Sequence, residues 1–495
     1  MLKTIIKKDS YQDSVSLMLL STKVQKLEGV TRATVMMATE ANHAMFAAAG
    51  LLTDEVKAAS PNDMAIVIEA ESEEIFQSTL AEVEKLLAGG GKKGAASNEG
   101  FETVRSFEAA AKELAGANIA MISVPGAFAA GEARKALDAG LHVFMFSDNV
   151  SLADEVALKT LAVEKGLLMM GPDCGTAVLA GVPLGFANVL RRGKIGIVGA
   201  SGTGIQEVAC LIDRTGEGIS HAIGTGGRDL SKEVQGRTAR LAVQALIADA
   251  ATEVLVVISK PPAKEVEELL LADLRQAGKP VVVMFLGSER TGTEGNITFT
   301  NSLIGAAEAA VAVARGEQIK PATFAPAPAA TPTGTLVKGL FTGGTLAGEA
   351  AQILAELLPG EGGADHHEDG VFFQRDGHQI IDFGDDVYTR GRAHPMIDPR
   401  TRNEAIVNAA QDPTTGVILL DVVIGYGAHP DPATGLVETL ASVGELKVPV
   451  IASVTGTEGD PQKFAAQRTI LESAGIIVAS SNAEAATWAA QIVVK

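Results

Sequence analysis

The sequence predicts an α/β protein built from doubly wound parallel sheets, and three observations support that prediction. Short runs rich in β-branched residues alternate with longer helical stretches rich in Ala, Leu and Glu, which is the pattern of βαβ units. Aromatic residues make up only 4% of the chain, so its cores must consist of small aliphatic side chains, as in parallel sheets covered by helices. The 495 residues suffice for about three domains of roughly 150 residues each.

Each strand is predicted from a short apolar run between turn residues. The runs before residue 300 are Met64–Ile68, Ile119–Val124, His142–Phe146, Ile195–Val198, Val254–Ile258 and Val281–Phe285. Helices are predicted between strands, for example over Ala129–Ala139 and Val266–Ala277. Further strands are predicted over Leu336–Phe341, Gly416–Val423, Val448–Val454 and Gly475–Ala479. The six strands before residue 300 are expected to be buried and parallel.

Two breaks in the pattern predict the domain boundaries. The stretch Pro321–Pro332 is rich in Pro, Ala and Thr, which favours a semi-rigid linker. A weaker boundary lies near Arg191–Lys194, just before a new strand. The predicted units are therefore residues 1–190, 194–318 and 335–495, with a linker over 319–334.

The charge and the cysteine content exclude several classes of function. The net charge of −19 argues against binding to nucleic acid or to anionic membranes, although a local site could still bind a small anion. Two cysteines, Cys174 and Cys210, cannot form a disulfide framework and indicate a reducing, cytoplasmic compartment. The segment Met1–Lys8 has no signal-peptide character, and no run reaches the ~18 apolar residues of a membrane span.

The clearest local motif is a Gly-rich turn between a strand and a helix at Gly196–Gly204. Glycines allow close approach of the backbone to an anion, and the first N–H groups of the helix point toward it. Ser201 and Thr203 add hydroxyl donors around Gly202. The spacing fits neither a Walker loop nor a dinucleotide fingerprint, and a tight turn that binds nothing is the alternative.

A second turn of the same kind follows the predicted linker at Phe341–Glu349. Gly343, Gly344 and Thr345 stand where the strand passes into the helix. The two helix starts could face each other across one anionic group. Such a pair would indicate an anion-binding site much more specifically than either turn alone.

Three polar clusters follow predicted strands, where open α/β sheets place ligands: Gly171–Thr176, Gly224–Asp229 and Asp382–Asp386. The first contains Asp173. The second contains Arg228, which suits a carboxylate or phosphate, although a helix cap or a surface salt bridge fits about as well.

A fourth cluster, Arg390–Pro399, places His394 among cations that include Arg392. His394 could serve as a nucleophile, an acid or base, or a phosphate ligand, and neighbouring cations favour its neutral form. A structural histidine beside a proline turn is the alternative.

The loop Gly360–Gly370 contains two adjacent histidines, His366 and His367, which could bind a metal. A solvated loop is the preferred interpretation, and no metal site is predicted.

Several of these motifs resemble the succinyl-CoA synthetase α subunit over residues 115 to 310. Ser123–Phe128 resembles its V-P-x-x-F turn, and Phe146–Val150 falls at its T-E-G-I-P turn. Gly171–Cys174 resembles its G-P-N-C, and Gly196–Thr203 its G-I-V-S-R-S-G-T phosphate helix. The resemblance implies a Rossmann-like CoA-binding fold for the first domain and a flavodoxin-like fold for the second.

In that family the first two turns belong to the CoA-binding domain. The resemblance therefore implies that Val124, Pro125, Ser147 and Asn149 contact coenzyme A, if this chain uses it.

Residues 336–495 resemble the C-terminal domain of the β subunit, again flavodoxin-like. Thr342–Ala347 resembles its N-G-A-G-L-A helix, Ile381–Gly384 its L-D-V-G, and Asp421–Gly427 its N-I-F-G-G. The nucleotide-binding ATP-grasp half has no counterpart, so no nucleotide site is expected in this chain.

This fusion is the architecture of the FdrA branch of the ADP-forming acyl-CoA synthetase superfamily. Asp13–Leu17, Lys260–Ala263 and Ala393–Pro399 resemble that branch.

Three departures from the α subunit predict altered chemistry. The stretch Gly287–Asn296 has no histidine where the α subunit carries its phosphohistidine, and Lys260 replaces the glutamate that orients it. Lys7–Asp13 stands in place of the first glycine loop of the CoA domain.

The resemblance thus implies phosphate-linked acyl or carbamoyl transfer through an acyl phosphate. The expected catalytic residues are His394, Lys260 and Arg228. The expected phosphate- or substrate-binding residues are Ser201, Gly202, Thr203, Gly343, Gly344, Thr345, Asp173 and Arg392.

The alternatives are a component of oxamate carbamoyltransferase, which converts oxalurate and phosphate to oxamate and carbamoyl phosphate in allantoin breakdown, and a non-catalytic scaffold. A homo-oligomer or a complex with separate partner subunits is expected.

Overall fold

The computed structural model describes residues 1–8, 10, 12, 14–25, 27–93, 106–364, 369–389 and 392–494. The chain divides into two compact units, Met1–Thr103 with Thr389–Ala393, and Val104–Tyr388 with His394–Lys495. His366, His367 and Arg390, together with Asp9 and Asp13 of the two N-terminal motifs, lie outside the described residues.

The first unit contains one small antiparallel sheet. Its elements are β1 (Leu2–Lys7), α1 (Ser14–Gln25), β2 (Val30–Met37), α2 (Glu40–Ala48), α3 (Asp54–Ala58), β3 (Met64–Ala70) and α4 (Glu73–Lys93). The strand order is β1-β3-β2, and both pairings are antiparallel. The prediction of a Rossmann-like fold was therefore wrong for residues 1–103.

The error has a physical cause in β3. Ile66 and Ile68 pack into one core with α1 and α4, while Ala65 and Val67 pack into another with α2 and α3. A strand that is buried on both faces is apolar throughout, whichever way its neighbours run, so it looks like a strand of a parallel sheet.

The second unit begins with a three-stranded parallel sheet of order β4-β5-β6. Its elements are α5 (Phe107–Glu113), β4 (Ile119–Ile122), α6 (Gly126–Asp138), β5 (His142–Met145), α7 (Leu152–Lys165) and β6 (Met169–Met170).

An eight-stranded sheet follows in the order β13-β14-β12-β11-β9-β10-β7-β8. Its strands are β7 (Thr176–Leu179), β8 (Val182–Gly185), β9 (Arg192–Gly199), β10 (Ile219–Gly224), β11 (Val254–Ser259), β12 (Val281–Phe285), β13 (Gly292–Glu294) and β14 (Ile297–Thr300). Its helices are α8 (Gly202–Arg214), α9 (Arg237–Ala248), α10 (Lys264–Arg275) and α11 (Leu303–Arg315). The five central strands are parallel, whereas β7, β8 and β13 are antiparallel additions at the two edges.

The predicted linker has no regular structure, as expected, and it lies on the last helix, where the Trp488 indole donates a hydrogen bond to the Ala325 carbonyl at 2.9 Å. Beyond it lies a six-stranded sheet of order β16-β17-β15-β18-β19-β20. Its strands are β15 (Leu336–Phe341), β16 (Val371–Arg375), β17 (His378–Asp382), β18 (Thr415–Val423), β19 (Val450–Thr455) and β20 (Ile477–Ala479). Its helices are α12 (Gly344–Leu357), α13 (Asp386–Thr389), α14 (Arg400–Gln411), α15 (Pro432–Ala441), α16 (Phe464–Ser473) and α17 (Asn482–Val494).

The two large sheets share one topology, which confirms the prediction of doubly wound domains. The parallel strands run β10-β9-β11-β12-β14 in one sheet and β17-β15-β18-β19-β20 in the other. In each sheet the chain reverses its direction of winding beside the first strand, and ligands of open α/β sheets bind outside the carboxyl ends of the strands at that point. Both Gly-rich turns lie at such points, after β9 and after β15. Across the described segments, no helix combines the length and the apolar character that a membrane span requires.

Candidate functional site

The two Gly-rich turns meet in the second unit. Ser201 is the N-cap of α8, where its hydroxyl accepts a hydrogen bond from the Gly204 N–H at 3.3 Å. The Thr345 hydroxyl, in the first turn of α12, donates to the same Ser201 oxygen. A Cβ atom on Gly343 would lie 2.8 Å from the Thr203 side chain. The starts of α8 and α12 are therefore in direct contact, and only glycine fits at position 343 without displacing Thr203.

Free backbone donors surround this contact. Among the described residues, the N–H groups of Gly202 and Thr203 in α8, and of Gly344 and Thr345 in α12, have no hydrogen-bond acceptor. These N–H groups have no carbonyl of a preceding turn to bond, and they lie at the positive ends of the two helix dipoles. Paired helix starts of this kind can bind one anionic group.

A lysine and two carboxyl groups adjoin the turns. Lys260 directly follows β11, the strand beside β9, and its ammonium lies 5.8 Å from the centroid of the Phe372 ring. Its charge lowers the pKa values of both Asp173 and Asp382, against larger effects that raise them. The structure thus brings together the predicted residues Lys260 and Asp173.

Asp173 is exposed at its surface, yet surrounding protein atoms reduce its solvation. Reduced solvation raises its pKa to about 6, and the charges of Asp386 and Asp148 act in the same direction, while Lys260 and Arg228 oppose them. A carboxyl group that titrates near neutral pH beside cations is a good candidate for proton transfer or substrate binding.

Asp382 is a site residue to which sequence reasoning assigned no role. It ends β17, is only 6% exposed, and accepts a hydrogen bond from the Gly384 N–H at 2.8 Å. Its other carboxyl oxygen lies 2.8 Å from the position of a Cβ on Gly344, at the start of α12. Burial raises the pKa of Asp382 to about 7, and the charge of Asp421 contributes. Its proximity to α12 depends on tertiary packing, which the motif Asp382–Asp386 does not reveal.

His394 lies beside Asp382 across Gly384. A Cβ on Gly384 would be 2.7 Å from His394 Nε2 and 3.0 Å from Asp382 Oδ1. His394 Nδ1 accepts the Met396 N–H at 3.2 Å, so the neutral ring carries its proton on Nε2. Burial lowers the pKa of His394 to about 4. The lowered pKa favours the neutral imidazole, and its cause is burial rather than neighbouring arginines.

Arg228 lies at the exposed edge of a buried ionic network. Its guanidinium is 2.9 Å from Glu155, donates to the Val150 carbonyl at 2.9 Å and is 47% exposed. Lys159 lies 2.9 Å from Glu155 and 2.7 Å from Asp229. A salt bridge is therefore present, with a buried rather than a surface partner, and it engages the NH2 group of the predicted anion-binding fork.

The four residues assigned to coenzyme A also come together. The Ser147 hydroxyl donates to the Val124 carbonyl at 2.5 Å, and Pro125 is the N-cap of α6. Asn149 has a positive φ of 53°, and its carbonyl oxygen lies 2.6 Å from the position of a Cβ on Gly126. The two turns form one surface, but contact with coenzyme A stays a prediction.

Arg392 falls in the first unit and His394 in the second, so a phosphate-binding role for Arg392 stays a prediction. In the part of the chain that the structure describes, no group of three His, Cys, Asp or Glu side chains is placed to hold a metal.

Buried polar contacts that the sequence did not reveal hold the site in place. The Asn482 amide donates to Glu349 of α12 at 2.8 Å, and its backbone N–H donates to Glu207 of α8 at 3.2 Å. The hydroxyl and N–H of Thr342 both donate to Asp421 at 2.9 Å, and Arg402 lies 3.0 Å from Asp421. These contacts join residues far apart in the chain, so no local motif marks them.

Three family models match the chain. Residues 1–103 match the model described as "AllF, heavy metal-associated domain", residues 191–287 match "CoA binding domain" and residues 340–492 match "CoA-ligase". The chain thus has an N-terminal domain of the AllF type followed by CoA-binding and CoA-ligase domains. Both cysteines, Cys174 and Cys210, lie outside residues 1–103, so that domain has no thiolate for a metal.

Individual proteins resemble the chain over different lengths. It is 41% identical to YahF, an uncharacterized protein of Escherichia coli (strain K12), over 100% of this chain and 99% of that protein. It is 31% identical to the succinate–CoA ligase [ADP-forming] subunit alpha of Aquifex aeolicus, over 39% of this chain and 64% of that subunit. Subunit alpha 2 of the same ligase from Archaeoglobus fulgidus is 28% identical over 44% of this chain and 79% of that subunit.

Proposed function

The chain belongs to the family of Escherichia coli YahF, and from this premise we propose that it catalyses phosphate-linked transfer of an acyl or carbamoyl group through an acyl phosphate. The similarity to ADP-forming succinate–CoA ligase α subunits supports the phosphate-linked class of reaction. The match to the AllF domain supports a link to allantoin breakdown.

One observation carries the proposal, namely the contact between the two helix starts. The Thr345–Ser201 hydrogen bond and the packing of Gly343 on Thr203 bring free N–H groups from two domains to one place. A phosphate or the phosphoryl end of an acyl phosphate is the group that such donors bind best.

The side chains around this place suggest separate roles. Lys260 neutralises charge that develops on the transferred group. His394 donates its Nε2–H to an oxygen of that group, and Asp382 exchanges a proton near neutral pH. Arg228 contributes mainly through the positive field at Asp173, because Glu155 already binds its guanidinium.

Within this class, carbamoyl transfer is the better-supported candidate. The stretch Gly287–Asn296 contains no histidine for a phosphohistidine relay, and carbamoyl phosphate needs none because it is itself an acyl phosphate. In the direction of oxalurate breakdown, a phosphate oxygen attacks the carbamoyl carbon of oxalurate. The bond from that carbon to the oxamate nitrogen breaks, and this nitrogen takes up a proton. The products are oxamate and carbamoyl phosphate, as in the FdrA-type component that the sequence resembles.

Acyl-CoA formation is the second candidate, favoured by the matches to the CoA-binding and CoA-ligase domains. The start of α6 suits a ligand with phosphate and apolar parts, because Phe128 and Val124 expose 67% and 38% of their surfaces beside it. Coenzyme A would supply a thiol that accepts the acyl group, with Ser147 and Asn149 shaping its site. Because relatives of this class are subunits, partner chains are expected in either case.

Two assays of the purified chain, with and without its co-expressed genomic neighbours, test the proposal. One supplies carbamoyl phosphate and oxamate and measures oxalurate; the other supplies coenzyme A, ATP and a carboxylate. Activity in the first and not the second is the expected result. Calorimetry with orthophosphate distinguishes an enzyme from a non-catalytic scaffold. A chain that binds no phosphate and is inactive in both assays contradicts the proposal.

A further inference from the structure

Phe186 is a buried aromatic residue beside the first Gly-rich turn. It directly follows β8 and is only 6% exposed. Its N–H donates to the Gly175 carbonyl at 2.8 Å, and its own carbonyl oxygen accepts the Thr176 hydroxyl at 2.6 Å. That hydroxyl would lie 2.9 Å from a Cβ on Gly202, at the start of α8. The backbone of Phe186 is therefore fixed close to the first turn.

The ring of Phe186 reaches the other side of the site, where it packs on His394. The two ring centroids are 5.5 Å apart and the ring planes are tilted by 45°, which is a favourable geometry for aromatic rings. Phe146 makes a similar tilted contact with Phe186, also at 5.5 Å. A Cβ on Gly427, whose φ is 80°, would lie 2.8 Å from the Phe186 ring. The ring is therefore packed against two other rings and against a glycine that leaves room for it.

The imidazole of His394 is held at both of its nitrogen atoms as well. Nδ1 accepts the Met396 N–H at 3.2 Å, and Nε2 lies 2.7 Å from the position of a Cβ on Gly384. Asp382 is the titratable group that adjoins the same position, since its Oδ1 lies 3.0 Å from it. Rotation of the imidazole would break the bond to Met396 and would disturb the ring contact with Phe186.

We propose that Phe186 is a positioning residue for His394: its ring keeps water from part of the imidazole and holds the imidazole plane, so that Nε2–H stays beside Asp382. This inference rests on the proposed function and deepens it, because it names a residue that acts on the transferred group only through His394. Burial lowers the pKa of His394 to about 4, and the ring of Phe186 supplies part of that burial.

Ordinary core packing would make Phe186 equivalent to any other buried phenylalanine, and Phe299 is the matched control for that alternative. Phe299 is 4% exposed and lies on β14, near the edge of the eight-stranded sheet that is opposite to β8. It belongs to a different hydrophobic core from Phe186. Loss of either ring should lower stability, but only the loss of Phe186 should alter His394.

The test follows His394 by NMR in the full chain, with ¹⁵N in the rings of its eight histidines and His394→Ala to assign the signal. Between pH 5 and pH 8 the parent ring should stay mostly neutral, with its proton on Nε2. In Phe186→Leu we expect the pKa of His394 to rise by about one unit, because water reaches the ring. In Phe299→Leu the titration should match the parent.

Turnover provides the second readout. In the assay with carbamoyl phosphate and oxamate, the kcat of Phe186→Leu should fall about tenfold with little change in KM, because a misplaced donor affects the reacting group more than substrate binding. The kcat of Phe299→Leu should stay close to that of the parent.

An unchanged His394 titration in folded Phe186→Leu overturns the proposal, whatever the turnover. Phe186→Met also lacks the ring and gives the same decision if Phe186→Leu fails to fold. An equal pKa shift in Phe299→Leu overturns the proposal too, since it would reflect a general loosening of the fold. A titration that shifts only in the Phe186 variant, with unchanged kcat, supports the contact and refutes the role of His394 in the proposed function.

Discussion

The two Gly-rich turns occupy equivalent places in two sheets of the same topology, yet they are stabilised differently. The turn after β9 is capped by its own side chain, because Ser201 accepts the Gly204 N–H. The turn after β15 has no side-chain cap, since Gly343 stands at that position. The carboxyl group of Asp382 lies at its start instead.

The two turns are also anchored differently, since the second is held by residues from distant parts of the chain. Thr342, before the second turn, is fixed by Asp421, which is in turn paired with buried Arg402. The difference teaches that the first turn is capped by its own side chain, whereas the start of the second depends on buried charges from distant parts of the chain. The second turn should therefore dominate anion binding, and it should give that binding its pH dependence.

The largest expected effect concerns chemistry on the side of the second turn. His394→Ala should lower turnover about 10²–10⁴-fold with little loss of stability, because it removes a positioned Nε2–H donor. The measurement is steady-state turnover together with thermal unfolding. Arg228 follows β10 of the sheet that carries the first turn, and Arg228→Gln is the comparison. It should chiefly lower the stability of the folded protein, since it leaves the carboxylate of Glu155 with fewer partners. Normal turnover in a folded His394→Ala protein would move the catalytic role to Lys260.

The next effect is on binding at the second turn. In Gly343→Val a Cβ would lie 2.8 Å from Thr203 and force the helix starts apart. Orthophosphate affinity should fall about 100-fold, the loss of roughly two hydrogen bonds to a charged group. Gly131→Val, where a Cβ meets nothing within 4 Å, controls for the added side chain. Calorimetry that finds equal affinity in both variants would refute the shared site.

A smaller effect is expected at the first turn. Gly202→Pro removes one N–H at the first position of α8, where the φ of proline suits a helix, although its Cβ would lie 2.9 Å from the Thr176 hydroxyl and displace it slightly. Phosphate affinity should fall about tenfold, less than for Gly343→Val, because one donor is lost and the contact between the helices remains. A larger loss than in Gly343→Val would reverse the ranking of the two turns.

The smallest expected effect is a pH dependence. Sulfate does not titrate near neutral pH, so a change in its affinity reports on the protein. Asp382 has a raised pKa of about 7, and its protonated, neutral form predominates below that value. Sulfate should therefore bind about fivefold more tightly at pH 6 than at pH 8. In Asp382→Asn this dependence should flatten; an unchanged slope would assign it to another group, such as Asp173.

Local features of this molecule could be predicted from the sequence, and contacts across long distances in the chain could not. The strand Leu336–Phe341 and both Gly-rich turns lie where the patterns indicated, because a strand, small residues and a helix follow one another directly. The role of Asp382, by contrast, depends on β17 pairing with β15, which brings its carboxyl group to the start of α12.

The contact of Arg228 is a second example of an interaction that the local sequence does not predict. Its partner Glu155 lies on α7, and nothing in the local sequence marks that carboxylate as buried beside it. The N-terminal unit was missed because β3 is covered on both faces, which conceals the direction of its neighbours.

The central claim is that one anion is bound by both turns together. A double-mutant cycle of Gly202→Pro and Gly343→Val, with orthophosphate affinity measured by calorimetry, tests it most directly. If the two turns share one anion, the double variant should bind little more weakly than Gly343→Val alone, because the contact that the first turn needs is already lost. Losses that add in full, or phosphate binding that neither substitution weakens, would contradict the account.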